Sequence, residues 1–230
     1  MVARWFPQSV STFGGDVDAI FFLIYYIVGF WFLLTEGLIL YFIFRYRRSP
    51  GRPASRHAGD TPRQAAWVLV PALLVLGLDF GIDVPGSRVW NEIKGKPPPA
   101  DLHLEVVATQ YYWEFVYPGP DGEFGTADDQ TLQHAMHVPA GKVVTLTLKS
   151  KDVVHSLFIP NLRLKQDIVP GREINVWFNV TEPGTYEIAC SELCGFGHHK
   201  MRGLLIVHPA DEYEQWVQTE LAPHAGEAQW

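Results

Sequence analysis

Cysteine is nearly absent from this chain: 230 residues hold two, Cys190 and Cys194. That count excludes a disulfide-stapled scaffold. A bridge closing so short a loop would also constrain little of the unfolded chain, because the entropic gain grows with loop length. There is no haem-attachment C-x-x-C-H, no redox C-x-x-C pair and no internal repeat. Acids are scarce in residues 1–100, seven against ten Lys and Arg, whereas residues 101–230 hold eighteen against eight. Net charges of +3 and −10 mean that the two parts face different surroundings, and the acidic part attracts basic partners by long-range steering.

Charge is also missing from two long apolar runs. Between Ala19 and Phe44 the single ionisable side chain is Glu36. Roughly 20 apolar residues suffice to cross a bilayer. A cleaved signal peptide has a basic start, an apolar core of about 7–15 residues and a small-residue cleavage site, and this run shows none of these. A second run, Ala65 to Val84, contains Pro71 and, toward its end, Asp79 and Asp83. A charge at the bilayer centre costs at least ~2.5–3.5 kcal/mol, so these carboxylates belong near an interface or against a partner protein. The intervening loop carries Arg45, Arg47, Arg48, Arg52, Arg56 and Arg63 against one acid, Asp60. The positive-inside rule places that loop in the cytoplasm and both termini outside. Glu36 reads either as an intramembrane proton or partner contact or as a helix-packing group.

Beyond Pro97-Pro98-Pro99 the pattern changes to short alternating stretches at 102–108, 143–149, 174–180, 185–190 and 203–208, separated by turns such as Pro170-Gly171 and Pro183-Gly184. Strands at this spacing predict a β-sandwich or barrel. The expected order is an N-terminal extramembrane segment 1–18, a membrane span 19–44, an Arg-rich loop 45–64, a second span 65–84, a linker 85–100, a β-domain 101–209, and a C-terminal helix and tail 210–230.

The chemistry is concentrated in Cys190-Ser-Glu-Leu-Cys194-Gly-Phe-Gly-His198-His-Lys-Met201, with His155 upstream in Asp152-Val-Val-His155-Ser. Thiolate, imidazole and thioether form a soft ligand set that selects copper over magnesium or calcium. A mononuclear blue-copper site needs one Cys, two His and a weak Met. This loop supplies that set and a second Cys, and two sulfurs can each bridge two coppers. A structural zinc site of two Cys and two His is the competing reading, and it leaves Met201 idle. Two unpaired cysteines in an oxidising compartment themselves call for a metal.

The pattern C-S-E-x-C-G-x-x-H-x-x-M resembles the dinuclear-copper signature of cytochrome c oxidase subunit II. The similarity extends to the paired spans, Gln110-Tyr111-Tyr112-Trp113, D-V-V-H-S and I-V-P-G-R at 168–172. The resemblance implies a two-helix transmembrane hairpin followed by an all-β cupredoxin-like domain. It implies Cys190 and Cys194 as bridging ligands, His155 and His198 as terminal ligands, Met201 as a weak axial ligand and the Glu192 carbonyl as another. The Glu192 side chain would also reach a magnesium or manganese ion at the catalytic-subunit interface, where a hard carboxylate oxygen suits it. Tyr111, Tyr112 and Trp113 would lie where electrons arrive from a donor, cytochrome c or another redox protein. The electrons would pass to haem in a separate catalytic subunit that carries the oxygen-reducing site and couples it to proton translocation. The setting would be a bacterial-type cytoplasmic membrane, with the copper domain on its periplasmic side.

Two positions depart from the family. Its usual Q-W-Y-W is Gln110-Tyr111-Tyr112-Trp113 here, and the glutamate expected three residues before Trp67 is Gln64, an amide that cannot carry a proton. These keep a nitric oxide reductase open as an alternative partner; a copper chaperone is a further class. The segment 117–129 is an insertion with four acids, read as a long hairpin turn or a cation-binding loop. His57, His103, His134, His137, His199, His208 and His224 read as surface or strand residues.

Overall fold

The computed structural model describes residues 6–51, 53, 59–95 and 97–221. Arg52, Arg56 and His57 of the basic loop, and the tail 222–230 with His224, lie outside the described residues.

The chain forms two separate units, residues 16–91 and the remainder. In the first, α1 (Gly14–Arg45) and α2 (Pro62–Lys94) are each long and apolar enough to cross a membrane. Phe30, Leu33 and Phe44 of α1 and Leu69, Val70 and Leu73 of α2 are exposed. Apolar side chains facing outward along a whole helix match a lipid environment rather than water. At 1.5 Å per residue each helix is about 48–50 Å long, more than the roughly 30 Å hydrocarbon core, so their ends project beyond it.

The stretch 85–100, expected as a linker, is helical as far as Lys94. Pro85 lies within the helix although proline removes a donor and crowds the preceding turn. The helix continues because its end is anchored: the Trp177 indole Nε1–H donates to the Ile93 carbonyl at 2.9 Å, and Lys94 Nζ donates to Gln166 Oε1 at 2.6 Å. The first of these satisfies one of the carbonyls that a helix end leaves without an intrahelical partner.

The second unit is a β-sandwich. Its strands are β1 (Leu102–Thr109), β2 (Tyr112–Tyr117), β3 (Gln130–Gln133), β4 (Ala135–Pro139), β5 (Val143–Ser150), β6 (His155–Ile159), β7 (Leu164–Ile168), β8 (Ile174–Asn179), β9 (Gly184–Cys190) and β10 (Arg202–His208). One sheet has the order β3-β2-β1-β5-β8, the other β4-β10-β9-β6-β7. The pairs β1–β5 and β4–β10 are parallel; the remaining pairs are antiparallel. Alternate residues point inward, as the two-residue period of a strand requires. Leu104, Val106 and Ala108 of β1 and Trp113, Phe115 and Tyr117 of β2 meet Met136, Val138, Leu157, Ile188 and Leu205 in a buried core. The insertion forms the turn of the β2–β3 hairpin, with Tyr117 opposite Gln130.

Two further segments complete this unit. Residues before α1 lie along the sandwich: Ser11 bridges Val180, the Ser11 hydroxyl donates to the Leu162 carbonyl at 2.8 Å, and Val10 and Phe13 are buried. After β10, α3 (Ala210–Trp216) widens into a π-turn over Val217–Leu221. Its Trp216 stacks on His137, centroids 4.3 Å apart and planes 3° from parallel. His137 Nδ1 in turn lies 2.8 Å from His208 Nε2. These two histidines, read as ordinary surface or strand residues, thus form a pair beneath the C-terminal helix.

Candidate metal centre

The centre is assembled where β6 meets β9. Leu157 pairs with Cys190, so His155, two residues earlier on the same face of β6, lies diagonally beside that cysteine. Cys190 ends β9, and the chain returns to β10 through residues 191–201. The Cys190 N–H donates to the Met201 carbonyl at 3.1 Å, closing the base of this loop, and Ser191 N–H donates to the Ser156 carbonyl at 2.9 Å. A short 3-10 turn, His198–Lys200, brings His198 back toward Cys194.

The result is a compact donor set. The Cys190 and Cys194 sulfurs are 3.8 Å apart and both thiols are free. His155 Nδ1 lies 3.9 Å from Cys190 Sγ, and His198 Nδ1 lies 3.6 Å from Cys194 Sγ. Met201 Sδ is 3.8 Å from Cys194 Sγ, and the Glu192 carbonyl is 3.2 Å from Cys190 Sγ. The ligand atoms of His155, Cys190 and Cys194 lie within 4.8 Å of one another. His155, Met201 and both cysteines are buried, whereas the Glu192 side chain is exposed. Burial, and then the neighbouring Cys190, push the Cys194 thiol up to about 11. The protein alone therefore keeps that sulfur protonated, and a bound cation is what would release its proton.

The donor chemistry fits copper. The two thiols, the two imidazoles and the thioether are the residues that would hold it, and it would supply a redox couple there. An imidazole nitrogen lies near each sulfur, the thioether adds a further soft donor, and the Glu192 carbonyl contributes a harder oxygen.

Sequence reasoning left Asp152 and Gln110 without a role. Asp152 Oδ1 lies 2.8 Å from His155 Nε2, and its Oδ2 accepts the Gln110 backbone N–H at 2.7 Å. Burial opposes ionisation of Asp152, but hydrogen bonds from the Gln110 backbone, His155 and the Val153 backbone outweigh it and hold the carboxyl below its usual range. The Gln110 side-chain amide donates to the Cys194 carbonyl at 2.6 Å. The signal for Asp152 was in the sequence, three residues before a metal-type histidine.

The three aromatic residues expected at the site of electron arrival separate. Trp113 is buried with its ring 6.3 Å from that of His155. Tyr111 lies against the loop, where side chains at Gly195 and Gly197 would strike it. Tyr112 points away, toward His134 at 6.5 Å. Around the loop, Leu193 and Phe196 are exposed, Phe196 at 96%.

Fold and site together define a membrane-anchored β-sandwich with a buried thiol–imidazole–thioether centre. Residues 115–208 match the family of the cytochrome c oxidase subunit II periplasmic domain. Cytochrome c oxidase subunit 2 of Thermostichus vulcanus is 30% identical, covering 91% of this chain and 76% of that protein. The alternative cytochrome c oxidase subunit 2 of Bradyrhizobium diazoefficiens is 28% identical over 96% of this chain and 86% of its own length. A solved periplasmic domain of cytochrome oxidase subunit II from Bradyrhizobium japonicum is 27% identical, covering 56% of this chain and 99% of that one, with a TM-score of 0.49. The chain belongs to the cytochrome c oxidase subunit 2 family: two transmembrane helices followed by a β-sandwich domain, part of a haem–copper oxidase.

Proposed function

We propose that this chain accepts electrons for a haem–copper oxidase at a dinuclear copper centre held by His155, Cys190, Cys194, His198, Met201 and the Glu192 carbonyl. The observation that carries this reading is the pair of buried free thiols 3.8 Å apart, with an imidazole Nδ1 within 3.9 Å of one and 3.6 Å of the other. A dinuclear copper pair supplies a one-electron redox couple shared between two metals. The protein's part is to fix both imidazoles and the thioether around the sulfurs, exclude water by burial, and leave no open position for substrate. Oxygen reduction, coupled to proton translocation, then belongs to haem in the catalytic subunit.

Cytochrome c, or another basic redox protein, is the donor that suits the net charge of −10 over residues 101–230. Tyr111, which lies against the loop, and Trp113, whose ring is 6.3 Å from that of His155, would mediate its electrons. The exposed Glu192 carboxylate is available for a magnesium or manganese ion shared with the catalytic subunit. The setting is a bacterial-type cytoplasmic membrane, with the copper domain outside.

Two measurements test the reading. Electron paramagnetic resonance of the copper-loaded chain is expected to show one unpaired electron coupled equally to two copper nuclei; coupling to a single nucleus would refute the dinuclear centre. The purified complex is expected to consume oxygen with reduced cytochrome c. Turnover of nitric oxide without oxygen consumption would instead place the chain in a nitric oxide reductase, the partner that Gln64 and Tyr111 leave open.

A further inference from the structure

The two thiols are held to the fold in different ways. Cys190 is the last residue of β9: its N–H donates to the Met201 carbonyl at 3.1 Å, and the N–H of Ser191 donates to the Ser156 carbonyl at 2.9 Å. Cys194 lies in mid-loop, outside any strand or helix, and neither its N–H nor its carbonyl has a backbone partner among the described residues. A buried carbonyl left without a partner is costly. Here the partner comes from outside the loop, 84 positions away in sequence: the Gln110 side-chain amide donates to the Cys194 carbonyl at 2.6 Å.

Gln110 is itself fixed. Its backbone N–H donates to Asp152 Oδ2 at 2.7 Å, and Asp152 Oδ1 lies 2.8 Å from His155 Nε2. One carboxylate therefore registers His155 directly and Cys194 through Gln110. The β1–β2 turn that carries Gln110 is pinned beside the same segment, because the Lys151 N–H donates to the Ala108 carbonyl at 3.1 Å. Gly195 makes room for the amide: a Cβ at that position would lie 2.8 Å from Gln110 Nε2. The glycine after Cys194 and the glutamine at the turn thus belong to one contact.

We propose that Gln110 is a positioning residue of the metal centre: its amide ties Cys194 to the Asp152–His155 pair and so keeps the two thiols at one separation. Without that amide, the loop is held only at its ends, by Cys190 in the sheet and by the 3-10 turn His198–Lys200. The Cys194 sulfur could then shift against the Cys190 sulfur, and the two sides of the centre would become unequal. Outer partners of this kind orient the groups that touch the metal and tune its properties. The inference rests on the reading of the site as a dinuclear copper centre.

The test uses the full chain in detergent and two substitutions. Gln110 is exposed, so neither disturbs the core. Gln110→Met keeps the side-chain length and the backbone N–H to Asp152 but removes the donor. Gln110→Lys returns a donor on a side chain of similar reach. In the metal-free, reduced chain, deuterium exchange over residues 190–201 is expected to quicken about tenfold in Gln110→Met, the scale of one hydrogen bond. Gln110→Lys is expected to stay close to wild type. After copper loading, Gln110→Met is expected to bind copper about tenfold more weakly. Its electron paramagnetic resonance spectrum is expected to show unequal coupling to the two nuclei, with equal coupling kept in Gln110→Lys. Wild-type exchange in Gln110→Met overturns the brace. Faster exchange with unchanged affinity and equal coupling leaves the bond a purely structural role and overturns the positioning. A Gln110→Lys chain that behaves like Gln110→Met overturns the hydrogen bond as the cause. Coupling to a single nucleus in the wild-type chain overturns the dinuclear reading, while metal-free exchange still decides whether Gln110 holds the loop.

Discussion

The Asp152 carboxylate holds His155 from the side of the ring opposite the thiols: Oδ1 is 2.8 Å from Nε2, while Nδ1 faces Cys190 at 3.9 Å. A carboxylate acceptor fixes the proton on Nε2 and leaves the Nδ1 lone pair for a metal.

Replacing Asp152 by alanine frees the ring and also removes the acceptor for the Gln110 backbone N–H. Copper affinity is expected to fall about 10–100-fold, the usual effect of losing such an outer partner. Competition with a copper chelator measures it. Unchanged affinity in Asp152→Ala would show that the strand alone orients His155.

Gly197 is a second control point. A Cβ there would overlap the Tyr111 ring, while Gly195, at φ +137, holds a backbone conformation that disfavours other residues. Gly197→Ala is expected to destabilise the loop by about 1–3 kcal/mol, the usual scale of overpacking. Tyr111→Ala, which removes the ring, is expected to restore most of that loss. A double-mutant cycle by chemical denaturation measures the coupling; additive effects would mean that the ring and the loop do not press on each other.

These two contacts mark what could and could not be read in the sequence. The ligand residues were legible because two thiols, an imidazole and a thioether crowded into one short loop have little use except to hold a soft metal. Strands β1, β5, β8, β9 and β10 were legible from their alternation. Strand β6 was not: four of its five residues are buried, so no alternation shows. Strand β7, Leu-Lys-Gln-Asp-Ile, places its polar residues between two buried ends and resembles a loop. The packing of Tyr111 against Gly195 and Gly197, distant in sequence, depends on the sandwich, which no local pattern encodes. Helix α2 outran the reading because its final turn is held by Trp177, a residue of β8.

The His137–His208 pair predicts a pH response. Burial, and then His208, lower His137 from 6.5 to about 4. Above pH 6.5 the folded and unfolded chains both carry it neutral, and it contributes no slope. Between 6.5 and about 4 the unfolded chain binds a proton that the folded chain refuses, so stability falls as pH falls. Denaturation midpoints across that window are expected to drop, and His137→Gln is expected to flatten the decline. An equally steep decline in the variant would assign the effect to other groups.

Phe13 is fully buried and meets Trp177 edge-on, with centroids 5.5 Å apart. Phe13→Ala is expected to cost about 3–5 kcal/mol, as for other large-to-small core changes. Unfolding of the full chain in detergent, followed by near-ultraviolet circular dichroism, measures it. A loss below about 1 kcal/mol would mean that the segment before α1 only rests on the sandwich.

The bridge from Ser11 to Val180 also carries a parity argument. A hydrogen-bonded contact between residues before α1 and residues after α2 requires both to lie in the same compartment. The chain between them must therefore cross the bilayer an even number of times, whatever the distribution of arginines in the loop. An insertion event that left either helix outside the membrane would strand Val10 and Phe13 on the far side from their pocket, so folding of the sandwich itself reports whether the anchor was threaded correctly.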